Sequence, residues 1–179
     1  MSTMFAFRAA ALGDNLPMVT NVSFASPFVG DQGFRDEFYK LEKAKKIRHL
    51  RISNDEDIVP LIPPASKISS IPEWAPFKHT GMHIHLYDEE RFLMPKYRLF
   101  YPKKGSLPIE MRNAVVNNIV LGLSIGIVGK HACPEYSARL DNAKHDLKKI
   151  SLDGLYADEN LTGWTLCQSS EPETHLGKQ

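Results

Sequence analysis

Three carboxylates crowd one corner of this chain. Asp55, Glu56 and Asp57 follow the strand-like Arg51-Ile52-Ser53-Asn54 and precede a proline-stiffened exit through Pro60, Pro63 and Pro64. Loops at strand ends, held by a rigid sheet, are where α/β proteins place reactive side chains. Ile58, Val59 and Pro60 would anchor the backbone of Asp57 against apolar packing, leaving Asp55 and Glu56 to face water. A carboxylate held still in this way is suited to orient an imidazole. Asp57 is therefore expected to meet a histidine arriving from later in the chain.

Two histidines compete for that place. His131 sits at a break between helical stretches, just before Pro134, where one ring nitrogen can stay open while a carboxylate grips the other. Spacing alone fits a solvated loop histidine at least as well. His145 lies between Lys144 and Asp146 in a helical pattern and reads more readily as a surface residue. His79, His83 and His85 form an H-x3-H-x-H run in which 83 and 85 would share one face of a strand. With no third ligand in view, solvent-facing histidines are the expectation there, and no metal or cofactor is expected. Gly122-Leu123-Ser124-Ile125-Gly126 matches G-x-S-x-G literally. A nucleophile elbow needs a strand before the serine and a helix after it, whereas the residues from Ile109 onward read as helical. Ser124 is accordingly not the expected nucleophile, and a tightly packed helix explains its small neighbours.

The composition suits a soluble-type core. Of 179 residues, 42% are hydrophobic and 24% charged, which bounds the chain to one domain or part of one. A formal net charge of +1 gives no electrostatic reason to expect nucleic acid as a partner. Cys133 and Cys167 have neither zinc-type spacing nor a disulfide framework, which fits a reducing compartment. The first residues lack a basic start followed by an apolar run, so the default expectation is cytoplasmic. The apolar stretch from Ala114 to Gly129 contains Asn117 and Asn118 and is short for a membrane span; a buried helix is expected there.

The elements that must position these groups follow from periodicity. Ser2 to Leu12 reads as a short helix with Phe5, Ala9 and Leu12 on one face. Val19 to Ala25 reads as a buried strand, Asp31 or Gln32 to Ala44 as an amphipathic helix through Phe34, Phe38 and Leu41, and Ile47 to Ile52 as a second strand. Strand, helix and strand at these lengths make a βαβ unit and hence a parallel sheet. Residues 65–78 form a proline-bearing loop with Trp74 and Phe77, followed by strands over 80–87 and 92–101. A helix is expected over 108–128 and another from Pro134 through Tyr136, Leu140, Leu147 and Ile150. From Thr162 the chain reads as a loose polar tail, so the domain is placed at 1–161 and the tail at 162–179.

These landmarks together resemble the C-terminal half of a class 3 (fungal-type triacylglycerol) lipase. Phe24-Ala25-Ser26-Pro27-Phe28-Val29-Gly30-Asp31-Gln32-Gly33-Phe34 is similar to the family's F-G-S-P-R-V-G-N-x-x-F, with Phe28 where arginine is usual. Asp57-Ile58-Val59-Pro60 is similar to its D-x-V-P, Pro63-Pro64 and His79-Thr80-Gly81 to its P-P and H-x-G, and His131 to Tyr136 to its H-x4-Y. The resemblance, spread over roughly residues 3–140, implies a partial α/β-hydrolase fold: an incomplete, mostly parallel sheet with flanking helices. It implies Asp57 as triad acid and His131 as base, with His145 the alternative because the insertion ahead of His131 is long. It implies a lipid or acyl-ester substrate, with the serine elbow lying ahead of Met1 and the chain inactive alone. A non-catalytic binding module derived from a lipase is the alternative, and an open sheet edge at the Val19 strand is expected to pair with another chain.

Overall fold

The structure, a computed structural model, describes residues 2–13, 16–57, 59–61, 77–88, 96–101 and 129–151. In order they form α1 (Ser2–Leu12), β1 (Val19–Phe24), α2 (Gln32–Lys43), β2 (Ile47–Asn54), a 3₁₀ turn (Val59–Leu61), β3 (Met82–Leu86), β4 (Tyr97–Phe100) and α3 (Cys133–Leu147). The expected loop with Trp74, the helix over 108–128 with Ser124, Cys167 and the tail from 162 lie outside the described residues.

One sheet organises the molecule, with strands in the order β1-β2-β3-β4. β1 and β2 run parallel with Val19 opposite Ile47, β2 and β3 run parallel with Leu50 opposite Met82, and β4 returns antiparallel to β3. The sheet is thus α/β and mostly parallel, as the βαβ spacing predicts. α2 starts where the sequence requires it to. Asp31 holds an extended backbone and its carboxylate accepts from the Phe34 amide at 2.9 Å, satisfying a donor that the helix itself cannot. Asp31→Ala is expected to cost about 1 kcal/mol, read as a lower urea midpoint with an unchanged slope.

The two faces of the sheet differ in chemistry. Leu50, Ile52, Met82, Ile84, Leu86, Tyr97 and Leu99 make an apolar face, packed against Tyr136, Leu140, Ala143 and Leu147 of α3. On the other face α1 and α2 close a smaller core of Ala6, Ala10, Phe38 and Ile47, with Phe7 tilted against Phe34 and stacked on Phe38. Beside it the sheet interior is polar, carrying Asn21, Ser23, His49, Arg51, Ser53, His83 and His85, all buried.

Three expectations are corrected here. α1 buries Thr3, Ala6 and Ala10 and leaves Phe5 and Leu12 exposed, so its small-residue face meets the sheet. Small side chains let the helix backbone approach the strand closely, where Thr3 Oγ1 comes within 3.5 Å of Asn21 Nδ2. β1 is half-buried rather than buried: Asn21 and Ser23 face inward while Val22 and Phe24 are exposed. Among the described strands it is outermost, paired with β2 alone. His79, His83 and His85 are buried, not solvent-facing. Ser53, opposite His85 in the register, explains two of them: its hydroxyl lies 2.6 Å from His83 Nε2 and 2.9 Å from His85 Nδ1. The third, His79, stacks on Phe28 with ring centroids 3.9 Å apart.

Candidate active site

The carboxylate corner is built by one backbone reversal. Asp55 extends the β2–β3 pairing, its amide donating to the Leu86 carbonyl at 2.7 Å. Glu56 then adopts a left-handed φ of 68°, a conformation that costs an L side chain roughly 1–2 kcal/mol. The reversal sends Asp55 and Asp57 to opposite sides of the sheet. Asp55 is buried beside His85, with Oδ1 3.5 Å from Nε2, which corrects the expectation that it faces water; Glu56 alone is exposed. Asp57 turns toward α3.

Both oxygens of Asp57 are occupied. Oδ1 accepts from the Val59 amide at 2.9 Å, so the carboxylate caps the 3₁₀ turn that the Val59-Pro60 exit forms. Oδ2 accepts from the Tyr136 hydroxyl at 2.7 Å and lies 3.1 Å from His131 Nδ1. The side chain of Asp57 is 0% exposed and that of His131 is 45% exposed. With the carboxylate ionised, Nδ1 must carry the proton that bridges them, which leaves the Nε2 lone pair to accept another.

His131 reaches this position from the turn ahead of α3. Pro134 in the first turn suits a helix start, because its missing N–H would have had no partner there. The Tyr136 ring then lies one turn inside the helix, at 5.9 Å and edge-on to Phe24. Its hydroxyl accepts from the Asn54 amide at 3.1 Å and donates to Asp57, tying the end of β2 to α3. Burial, with the Asp57 carboxylate beside it, pushes the Tyr136 phenol well above its ordinary pKa, so it remains a donor at any ordinary pH. Tyr136→Phe removes one acceptor and one donor from a buried site and is expected to destabilise by about 1–3 kcal/mol in urea unfolding.

Tyr136 is the residue that reasoning on acids and bases missed. Its only signal is the H-x4-Y spacing, which puts a phenol one helical turn past the histidine. His145 is exposed near the end of α3, about 13 Å along the axis from Tyr136 at 1.5 Å per residue. Among the described residues no group of three or more His, Cys, Asp or Glu is arranged to hold a metal ion, and no helix is long and apolar enough to cross a membrane.

Comparison with known proteins adds the family. Residues 1–67 match the model of the lipase (class 3) family. Over 52 residues the chain is 44% identical to a protein named Phospholipase A1-II 2 from Oryza sativa subsp. indica, a stretch that makes up 29% of this chain and 12% of that protein. The chain thus spans only a small part of that relative. The family match takes in Asp57 and ends before His131, a shorter reach than the motif resemblance implies. The α1-β1-α2-β2 unit and the carboxylate corner, within residues 1–67, are therefore class 3 lipase-family sequence folded as an α/β sheet.

Proposed function

We propose that Asp57 and His131 are the acid and base of a serine-type hydrolase of acyl esters, with lipid esters as the substrate class. The observation that carries this reading is the 3.1 Å approach of His131 Nδ1 to a fully buried carboxylate, with the imidazole itself half-exposed. In such a site a serine oxygen attacks the acyl carbon while His131 Nε2 takes the hydroxyl proton. Asp57 holds the tautomer and stabilises the imidazolium that forms. The same proton then passes to the departing alkoxide, and water repeats the sequence on the acyl-enzyme. The family and the phospholipase relative support the ester class.

The serine is expected to come from a G-x-S-x-G elbow joined ahead of α1, and the 179-residue chain is expected to be inactive by itself. An acid and base without a nucleophile retain little of a triad's rate advantage. The test joins the chain to an elbow-bearing segment of a class 3 lipase and follows p-nitrophenyl butyrate hydrolysis. His131→Ala should abolish turnover and His145→Ala should leave it intact; the reverse pattern would overturn the assignment. In the unjoined chain, labelling by a fluorophosphonate probe that disappears in Ser124→Ala would overturn the expectation of inactivity.

A further inference from the structure

The residue just before His131 is gripped at both ends. Asn54 Nδ2 donates to the Lys130 carbonyl at 2.9 Å, from the last position of β2. The Lys130 ammonium donates to Asp88 Oδ2 at 2.7 Å, from the segment that leaves β3. Asp88 is itself fixed by Arg139, whose Nη2 lies 3.1 Å from the same oxygen and whose Nη1 donates to the Leu86 carbonyl at 3.3 Å. Glu135 completes the cluster, 2.6 Å from Arg139 and 3.5 Å from Lys130. The bond to Asp88 is the chief cause of a raised Lys130 pKa, so the ammonium stays charged throughout the neutral range.

None of these four charged groups touches Asp57, yet together they locate the backbone from which His131 projects. Arg139 is buried, while Asp88 and Lys130 are each about a quarter exposed, so the pair is sheltered enough to resist full screening. A histidine on a short turn with no such restraint would sample rotamers that break the 3.1 Å contact. We propose that Asn54 and Asp88 are positioning residues for His131, acting through the backbone and the ammonium of Lys130. This rests on the reading of Asp57 and His131 as a coupled pair, and it adds a second layer: β2 and β3 set the loop, and the loop sets the base.

The test uses the 179-residue chain and needs no ester hydrolysis. Proton NMR at low temperature reads the His131 Nδ1–H, a downfield resonance when bonded to a carboxylate, and its exchange with water. Wild type should show the resonance. Asp88→Ala, Lys130→Met and Asn54→Ala should each speed its exchange by about tenfold, the loss expected of one charge-assisted or buried restraint. Lys130→Arg should restore it, because a guanidinium reaches the same carboxylate. Lys130→Met keeps the aliphatic stem and should fold even if Asp88→Ala and Asn54→Ala do not. Unchanged exchange in Lys130→Met and Asp88→Ala overturns the positioning role while leaving the Asp57–His131 pair intact. Absence of the resonance in wild type overturns both.

Discussion

Asp57→Asn, in the chain joined to a nucleophile-bearing segment, is expected to lower kcat by about 10⁴-fold with little change in KM. The argument lies in which atoms surround the carboxylate. Oδ1 receives the Val59 amide and Oδ2 receives the Tyr136 hydroxyl, so an ionised aspartate satisfies every donor aimed at it. A carboxamide cannot. Its oxygen must take the Val59 N–H, because two N–H groups cannot face each other, and its NH₂ then occupies the Oδ2 position. That NH₂ can only donate, so His131 Nδ1 must accept and the ring proton moves to Nε2. The nitrogen needed to take the serine proton is then already protonated, and no negative charge remains to stabilise the imidazolium. A loss of less than tenfold would mean that Asp57 caps the 3₁₀ turn and does nothing for the base.

Acid should destabilise this protein through a different histidine. His49 lies between Ser23 Oγ, 2.9 Å from Nε2, and Thr80 Oγ1, 3.1 Å from Nδ1, with the Phe38 ring 5.6 Å away. Burial, aided by the positive charge of Arg51, pulls its pKa down from 6.5 to about 3. Above pH 6.5 the folded and unfolded chains both hold it neutral, and stability is fully present. As pH falls from 6.5 toward 3 the unfolded chain takes up a proton that the native state refuses, so stability falls. At about 1.4 kcal/mol per pH unit, the loss by pH 4.5 is about 2–3 kcal/mol. His49→Gln keeps a donor and an acceptor in place but cannot titrate. Whatever its stability at pH 7, its drop between pH 7 and 4.5 in urea unfolding should be smaller than that of wild type by this amount. An equal drop would show that the native state accommodates the His49 charge.

Gly81 belongs to the same neighbourhood. It has a φ of +76°, and a Cβ there would sit 2.4 Å from the His49 carbonyl oxygen. The start of β3 can approach β2 this closely only with a glycine at that point.

Much of the fold is legible from the residues because its signals are local. Asp31 as cap, the Phe34, Phe38 and Leu41 spacing, and the run Ile47 to Ile52 each carry their own evidence of helix or strand. What stays hidden depends on partners far along the chain. His83 and His85 look like solvent-facing strand residues until Ser53 is known to lie opposite, a fact of register that no single strand contains. Likewise Phe5 and Leu12 outrank Ala6 and Ala10 in hydrophobicity, but close approach to a polar sheet face selects the smaller side of the helix. At the site, the apolar residues after Asp57 point to a fixed carboxylate. Its partner is legible only through motif spacing, since 74 residues separate it from His131. Asp55 looks solvent-facing for the same reason as the histidines, because its partner His85 comes from another strand.

The most direct measurement is the tautomer of His131 in the 179-residue chain, read from ring ¹⁵N shifts at neutral pH beside Asp57→Asn. A buried carboxylate gripping one nitrogen of a half-exposed ring predicts a proton on Nδ1 in wild type that moves to Nε2 in the variant. A ring that favours Nε2–H in both, as a free imidazole does, would contradict the pairing on which the hydrolase reading stands.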